Sequence, residues 1–429
     1  MTVDTKRAAL RALALGSALV LAQGAALAQS PIEKMKQMRV ANTNLDIPGV
    51  DQEGRNAAAL RENLKRIKLP PGFKIDLFAV VPDARHMAVA PSTNMLFVGT
   101  RKTTVWAVTD RNSDGIADEV KPFAHSLKFK VPNGVCWTKD GFLIVVEHNR
   151  ILNFPAAEFF YEGPDVAVIE VAKQGTLIPP EEESYNHGAR TCRVGNDGKL
   201  YVTLGQPYNV QPREKIELYE KLGIGGVIRM DPFTGENREV VARGLRNPVG
   251  IEVAADGTIW TTDNQTDGMG DDTPPGKLSR HTKLGAHHGY PWVIGTTKIT
   301  DAAAGYELSK IPMPKEIEMP VMELPPHAAD LGLTQYNHTA FPKQYQGAFF
   351  IAEHGSWNRT TPIGARVMVA TIKPDGTAGK LEPFAEGWLD DKTRTYRGRP
   401  VDVAVMKDGS LLVSDDFAGA IYRITYAGQ

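Results

Sequence analysis

Apolar and polar positions alternate along most of this chain in short runs, and the runs come in pairs. A short apolar strand leads through a tight turn into a second apolar strand that ends in polar residues. The turn and second strand are clearest at Asp140-Gly141 before Phe142 to Val145, and at Asp197-Gly198 before Lys199 to Val202. They recur at Asp256-Gly257 before Thr258 to Trp260, and at Asp408-Gly409 before Ser410 to Val413. Weaker copies run from Thr93 to Val98 and from Gln346 to Ile351. Period-two alternation is the mark of a strand, and Asp-Gly suits a tight hairpin turn. A β-unit recurring every ~40–60 residues predicts a propeller, because no blade can bury both of its faces alone. The six copies predict an all-β fold, a six-bladed β-propeller. Phe73 to Val81 alternates as well, and is expected to pair with Ile421 to Tyr426 and close the ring, removing its open edge.

This geometry says where chemistry should lie. If the Asp-Gly turns occupy one rim, the start of each first strand and the end of each second strand emerge on the other. Those ends are Asp83, Arg85, His86, Asn133, Glu147, His148, His187, Gln206, Arg246, Asn247, Asp263, Asn264, Glu353, His354, Arg397, Arg399, Asp415 and Asp416. They predict a polar, mixed-charge ring around a channel mouth, the usual place for a ligand in such folds. The stretch from Asp256 to Gln346 is longer than the other repeats and contains a Pro-rich run through Pro326, so it is expected to add a lid or binding loop on that rim.

Composition narrows the function. The chain has 429 residues and a formal net charge of -1, without a basic run, which argues against a nucleic-acid partner. Lys6, Arg7 and Arg11 precede an apolar run from Ala12 to Ala22, and Ala26-Leu27-Ala28 offers a small-residue cleavage site. Residues 1–28 are therefore expected to be a signal peptide, with export to a periplasm or beyond and no stable membrane insertion. Residues 29–68, loosely helical from Asn56 to Lys68, read as an N-terminal arm, and residues 69–429 as the propeller domain. The two cysteines, Cys136 and Cys192, fall one residue out of phase when the repeats are aligned, so they point to opposite faces of their own blades. Opposite faces of neighbouring blades meet, which allows a disulfide between blades two and three. Two separately buried thiols are the alternative. Neither cysteine sits in a Cys-x-x-Cys-His arrangement, so covalent haem is excluded.

Arg246-Asn247-Pro248 stands immediately before a strand, with Arg85, Arg359, Arg397 and Arg399 placed toward the same rim. Guanidinium groups gathered on one rim repel one another unless acids or an anionic ligand neutralise them, and carboxylates are the ligands Arg recognises best. His187, in Asn186-His187-Gly188, opens the blade-three strand as a candidate general base, and Gly188 is expected to leave room for a ligand. Asp110 to Asp118 has oxygens spaced like the first part of a calcium loop, but its twelfth position is Lys121 in place of the bidentate Glu, so a strand-connecting turn is expected.

At Asn186-His187-Gly188, Leu245-Arg246-Asn247-Pro248 and Arg397-Gly398-Arg399-Pro400, with their Asp-Gly strands, the chain resembles the soluble pyrroloquinoline-quinone-dependent sugar dehydrogenases, and within them the sorbosone dehydrogenase-like branch. The resemblance runs from about Leu69 to Tyr426. It implies oxidation of an aldose or related sugar aldehyde by hydride transfer to the quinone, with electrons passed to an external acceptor, a cytochrome or a quinone. It also implies His187 as the base for the anomeric hydroxyl and Arg246 with Asn247 as the pair polarising the quinone. Arg397, Arg399 and Arg359 match cofactor-binding positions. Gln265 and Thr266 match the backbone carbonyls that hold a calcium ion, although better-known members have Gly-Pro there. Asn133 falls near the family's sugar-binding glutamine. Two other functions suit a six-bladed propeller. A calcium-dependent lactonase would need acids such as Glu147, Asp263, Glu353, Asp415 and Asp416 to converge in the channel, and a non-catalytic ligand-binding propeller would need no base at all.

Overall fold

The computed structural model describes residues 47–163 and 166–428. The expected signal peptide, and the arm as far as residue 46, lie outside the described residues. The remainder forms six four-stranded antiparallel blades, one of them extended by a fifth strand. The inner strands are Met87–Val89, Gly134–Trp137, Cys192–Val194, Asn247–Val253, Asp330–Gln335 and Pro400–Val405. Each neighbours the next, and the last returns to the first, so the ring is closed.

Closure is made by the two ends of the described chain. Phe73–Val80 is the outer strand of blade six and pairs antiparallel with Ala420–Tyr426, from Phe73 opposite Tyr426 to Val80 opposite Ala420. Phe73 lies edge-on to Phe341, Tyr345 and Phe384, with centroids 4.8 to 5.3 Å away, which ties this strand to blade five. A helix, α1 (Arg55–Leu64), precedes it. Asp51 Oδ1 accepts the Glu53 and Gly54 N–H groups before its first turn. Ala57, Leu60 and Leu64, spaced by three and four, form its buried stripe against the core of blades five and six.

The turns explain the repeat. Gly141, Gly198, Gly257 and Gly409 have φ between 77° and 83°, a left-handed conformation open to glycine at little cost. The preceding Asp closes the turn: Asp197, Asp256 and Asp408 each accept the N–H two residues on at 2.9 to 3.1 Å. All of these turns lie on the rim opposite the candidate site.

Cys136 and Cys192 are joined in a disulfide with Cα atoms 5.9 Å apart, linking the inner strands of blades two and three across 56 residues of chain. Of the two alternatives open in the sequence, the bridge is the one that forms. Replacing both cysteines by serine should cost about 2–4 kcal/mol through the released loop-closure constraint. Thermal melts with and without reductant check this, and an unchanged Tm would assign the bridge no role in stability. Asp110 to Asp118 is a turn, as expected: Asp110 accepts Asp114 N–H at 3.2 Å and Gly115 N–H at 2.9 Å, and Asp118 accepts Arg111 N–H at 2.6 Å, so these carboxylates serve their own backbone.

The long blade-four insert does more than cover the rim. Ala286–His287 adds as a parallel strand beside Glu239–Arg243 of blade three. Tyr290, Trp292, Ile294, Ile299 and Leu308 form a small separate core with Val210 and Ile216. The insert is therefore fastened to the neighbouring blade. Among the described residues, no helix is long and apolar enough to cross a membrane.

Candidate functional site

A cavity of about 260 Å³ opens at the rim where the inner strands begin. Its wall comes from blades one, three, four and five. Of the residues singled out in the sequence, Arg85, His187, Arg246, Asn247, Asn264, Gln265 and His354 line it.

His187 has φ 56°, a left-handed conformation costly for a residue with a Cβ. It aims the ring inward. Its Nδ1 lies 2.5 Å from the Gln206 carbonyl oxygen. A carbonyl only accepts, so Nδ1 carries the proton and Nε2 of the neutral ring keeps its lone pair. Burial, and then the positive charge of Arg246, lower its pKa to about 3, so the ring is neutral over the ordinary pH range. Gly188 lines the cavity beside His187, and it serves the packing as well. A Cβ there would collide with the Ser184 carbonyl and the His148 ring, so the glycine permits close packing within the protein.

Arg246 is held from several sides. Its Nε donates to the Asn209 carbonyl and its Nη2 to Asn209 Oδ1, both at 2.9 Å, and Nη2 lies 3.4 Å from Asp267 Oδ2. Asn209 Oδ1 also accepts Asp267 N–H at 2.8 Å, and Tyr290 donates its hydroxyl to the Asn209 carbonyl, so the insert braces the arginine. Beneath, the Asp263 carboxylate accepts the backbone N–H groups of Arg246 and Asn247, the latter at 2.7 Å. It faces Lys277 Nζ at 2.9 Å, and both of these side chains are wholly buried.

Other predicted residues stand behind the wall. Asn133 Oδ1 accepts Arg85 Nε at 2.9 Å, and Asp416 pairs with Arg85 and, at 2.8 Å, with His354. Arg85, first among the neighbouring charges, holds the Asp416 carboxyl well below the usual carboxylate range despite its burial. Arg399 donates to the carbonyls of His354 and Gly355 and lies over the Tyr396 ring. Arg397 reaches Asp390 at 3.2 Å. Arg359 bonds the Asp271 carbonyl and approaches Asp272. None of these three arginines lines the cavity. Thr266 is wholly buried and is not part of the lining.

The cavity also contains residues that strand-end reasoning missed: Arg101, Tyr185, Asp267, His327, Trp357 and Asn358. Arg101 follows the end of a blade-one strand by three residues, a signal that a longer reading frame past each strand would have found. Trp357 and Asn358 likewise follow His354. His327 emerges from the Pro-rich run with φ 60°, and no local pattern marks it. Asn358 links this group, donating to Asp267 Oδ1 at 2.7 Å beside His327 Nδ1, while His327 Nε2 donates to the Thr273 carbonyl at 2.7 Å.

Comparison with known proteins agrees with this architecture. An uncharacterized protein of Borreliella burgdorferi is 30% identical over 374 residues, 86% of this chain and 93% of the relative. A pyrroloquinoline quinone-dependent pyranose dehydrogenase of Coprinopsis cinerea is 25% identical over 326 residues, 61% of this chain, which spans 42% of that longer protein. Among solved structures, a Trichoderma reesei carbohydrate-active enzyme of family AA12 superposes with a TM-score of 0.66 at 18% identity, covering 90% of this chain and 100% of its own. The quinone-bound aldose sugar dehydrogenase of Streptomyces coelicolor gives 0.57 at 16% identity, covering 83% and 99%. These neighbours share the fold. A family model described as a domain of unknown function, DUF7133, matches residues 59–423, and the chain belongs to that family.

Proposed function

We propose that this protein is a pyrroloquinoline-quinone-dependent dehydrogenase of the sorbosone dehydrogenase-like branch, oxidising an aldose or related sugar aldehyde. The observation that carries this reading is the pairing of His187 and Arg246 across one cavity. One presents an unprotonated Nε2, and the other presents a guanidinium whose Nη1, at 3.5 Å from the Asn264 carbonyl, keeps one N–H for an incoming oxygen.

The donor set fits the cofactor chemically. An anionic, planar quinone needs cationic and amide donors, and Arg85, Arg246, Asn247 and Asn264 supply them at the wall. Arg246 and Asn247 would hold the quinone edge. Arg399, bonded to backbone carbonyls, would act from behind by raising the positive potential over the rim, and Arg359 and Arg397, paired with Asp272 and Asp390, would have to exchange those partners to reach the cofactor. Calcium would be held by the Gln265 and Thr266 carbonyls, which accept no hydrogen bond from any described residue, with the cofactor completing its oxygen ligands. The bound quinone supplies a two-electron acceptor for the hydride leaving the anomeric carbon.

The protein's own part is positioning and proton transfer. His187 Nε2 accepts the proton of the anomeric hydroxyl as the C–H bond breaks, and the Gln206 carbonyl holds the ring in the tautomer able to do so. Arg246 is kept in place by Asn209, and Asp263 fixes the backbone on which Arg246 and Asn247 sit. The electrons then pass to an external cytochrome or quinone, in the periplasm if residues 1–28 direct export. The acids a lactonase would require are occupied elsewhere: Glu147 with Arg150, Glu353 with Arg366, Asp263 with Lys277, Asp416 with Arg85, and Asp415 with Tyr422.

The test is addition of pyrroloquinoline quinone and calcium to the purified protein, read by absorbance of bound quinone and by dye reduction across a panel of aldoses. One equivalent of bound quinone with sugar-dependent reduction is expected. Failure to bind at micromolar quinone would remove the proposal.

A further inference from the structure

The cationic groups lining the cavity are unequally partnered. The lining includes three guanidinium groups, Arg85, Arg101 and Arg246, but a single carboxylate, Asp267. Arg85 is neutralised from behind by Asp416 and also bonded to Asn133. Arg246 is committed to Asn209 and approaches Asp267. Arg101 differs: only its backbone N–H is engaged, donating to Asp83 Oδ2 at 2.7 Å, and its guanidinium makes no hydrogen bond or salt bridge to any described residue.

Depth separates it from the other two. Arg246 and Asn247 are buried at the floor, with the Arg246 side chain 3% exposed. Arg101 is exposed at the mouth, together with Tyr185 at 69% and Trp357 at 76%. Arg101 belongs to blade one and Arg246 to blade four, which stand opposite each other in a six-bladed ring. A ligand lying above the floor, with its reacting carbon near His187, would meet two exposed aromatic rings and a guanidinium whose N–H donors have no partner among the described residues, although the Asp83 and Asp416 carboxylates act on its charge. Aromatic rings suit the C–H face of a pyranose, and a guanidinium suits a carboxylate.

We propose that the preferred substrate is an acidic aldose, a uronic acid whose carboxylate is held by Arg101 while its anomeric carbon faces the floor of the cavity. This rests on the sugar dehydrogenase reading and names the substrate class for the same site. The anomeric carbon gives up hydride to the quinone, the anomeric hydroxyl gives its proton to His187 Nε2, and the ring becomes the lactone. The carboxylate itself is unchanged.

The experiment compares D-glucuronate with D-glucuronamide, which has the same shape without the charge, in the quinone-loaded native protein and in Arg101→Gln. Quinone affinity is measured separately by absorbance titration. The native protein should prefer the acid in kcat/KM by about 10- to 100-fold, the range for a charge-assisted hydrogen bond, and Arg101→Gln should abolish the preference chiefly through KM. Quenching of protein fluorescence by each sugar should show the same discrimination in binding, independent of turnover. Equal use of the two sugars by the native protein would overturn the proposal and leave the dehydrogenase reading intact. An Arg101→Gln protein that loses quinone affinity, or both sugars alike, would also overturn it by assigning Arg101 to the cofactor. Failure of both proteins to bind quinone would remove the underlying reading itself.

Discussion

His187→Ala should lower kcat by roughly 10²- to 10⁴-fold, the range for loss of a positioned general base, while quinone binding is retained. The cause is local. The Gln206 carbonyl fixes the proton on Nδ1, and burial beside Arg246 keeps the ring neutral, so Nε2 is ready to accept a proton without first losing one. His327→Ala provides the contrast. That histidine lines the same cavity, but its Nε2 proton goes to the Thr273 carbonyl and its Nδ1 lies beside the Asn358 amide, so neither nitrogen is free. Its removal should cost far less in kcat. Single-turnover reduction of bound quinone, followed by absorbance, measures the step directly. Equal losses in the two variants would take the base assignment away from His187.

Lys277→Met should destabilise the protein by about 3–5 kcal/mol, the usual consequence of leaving one member of a buried ion pair without its partner. Lys277 and Asp263 stand opposite each other on adjacent strands of blade four, 2.9 Å apart and without exposure. The stranded carboxylate would also be the one that orders the Arg246 and Asn247 backbone, so activity should fall along with stability. Adding Asp263→Asn removes the uncompensated charge and should recover part of the stability, since an amide oxygen can still accept one of those N–H groups. Urea unfolding of the single and double variants decides this. A loss under about 1 kcal/mol in Lys277→Met would show that water reaches the pair.

Much of the fold was legible because its signals are local. Period-two alternation and the Asp-Gly turns depend on a few adjacent residues, and they located each blade's first hairpin. The closing strand was recognisable because Phe73 to Val80 alternates without a partner of its own. The phase difference between Cys136 and Cys192 placed them on facing surfaces, but only the packed ring brings their Cα atoms to 5.9 Å. The blade-four insert was legible only as an excess of length. Its attachment to blade three depends on Ala286 and His287 finding the free edge of Glu239–Arg243, a pairing between segments more than forty residues apart in the chain.

The site divides in the same way. His187, Arg246 and Asn247 were identifiable because they stand at strand starts, where the ring geometry points toward the channel. Which arginines face the cavity, and which keep donors free there, was decided by where the ring places their partners, and that is a property of tertiary structure. Asp390 takes Arg397, the Asp271 carbonyl takes Arg359, and the His354 and Gly355 carbonyls take Arg399. The Arg101 guanidinium makes no hydrogen bond or salt bridge to any described residue and stands at the mouth. The sequence by itself determined six blades, their closing strand and the rim on which polar ends gather, because neighbouring residues set strand period and turn type. Only the closed ring decided which of those polar groups share a cavity and which are already paired, because hydrogen bonds and charges are apportioned in space among residues distant along the chain.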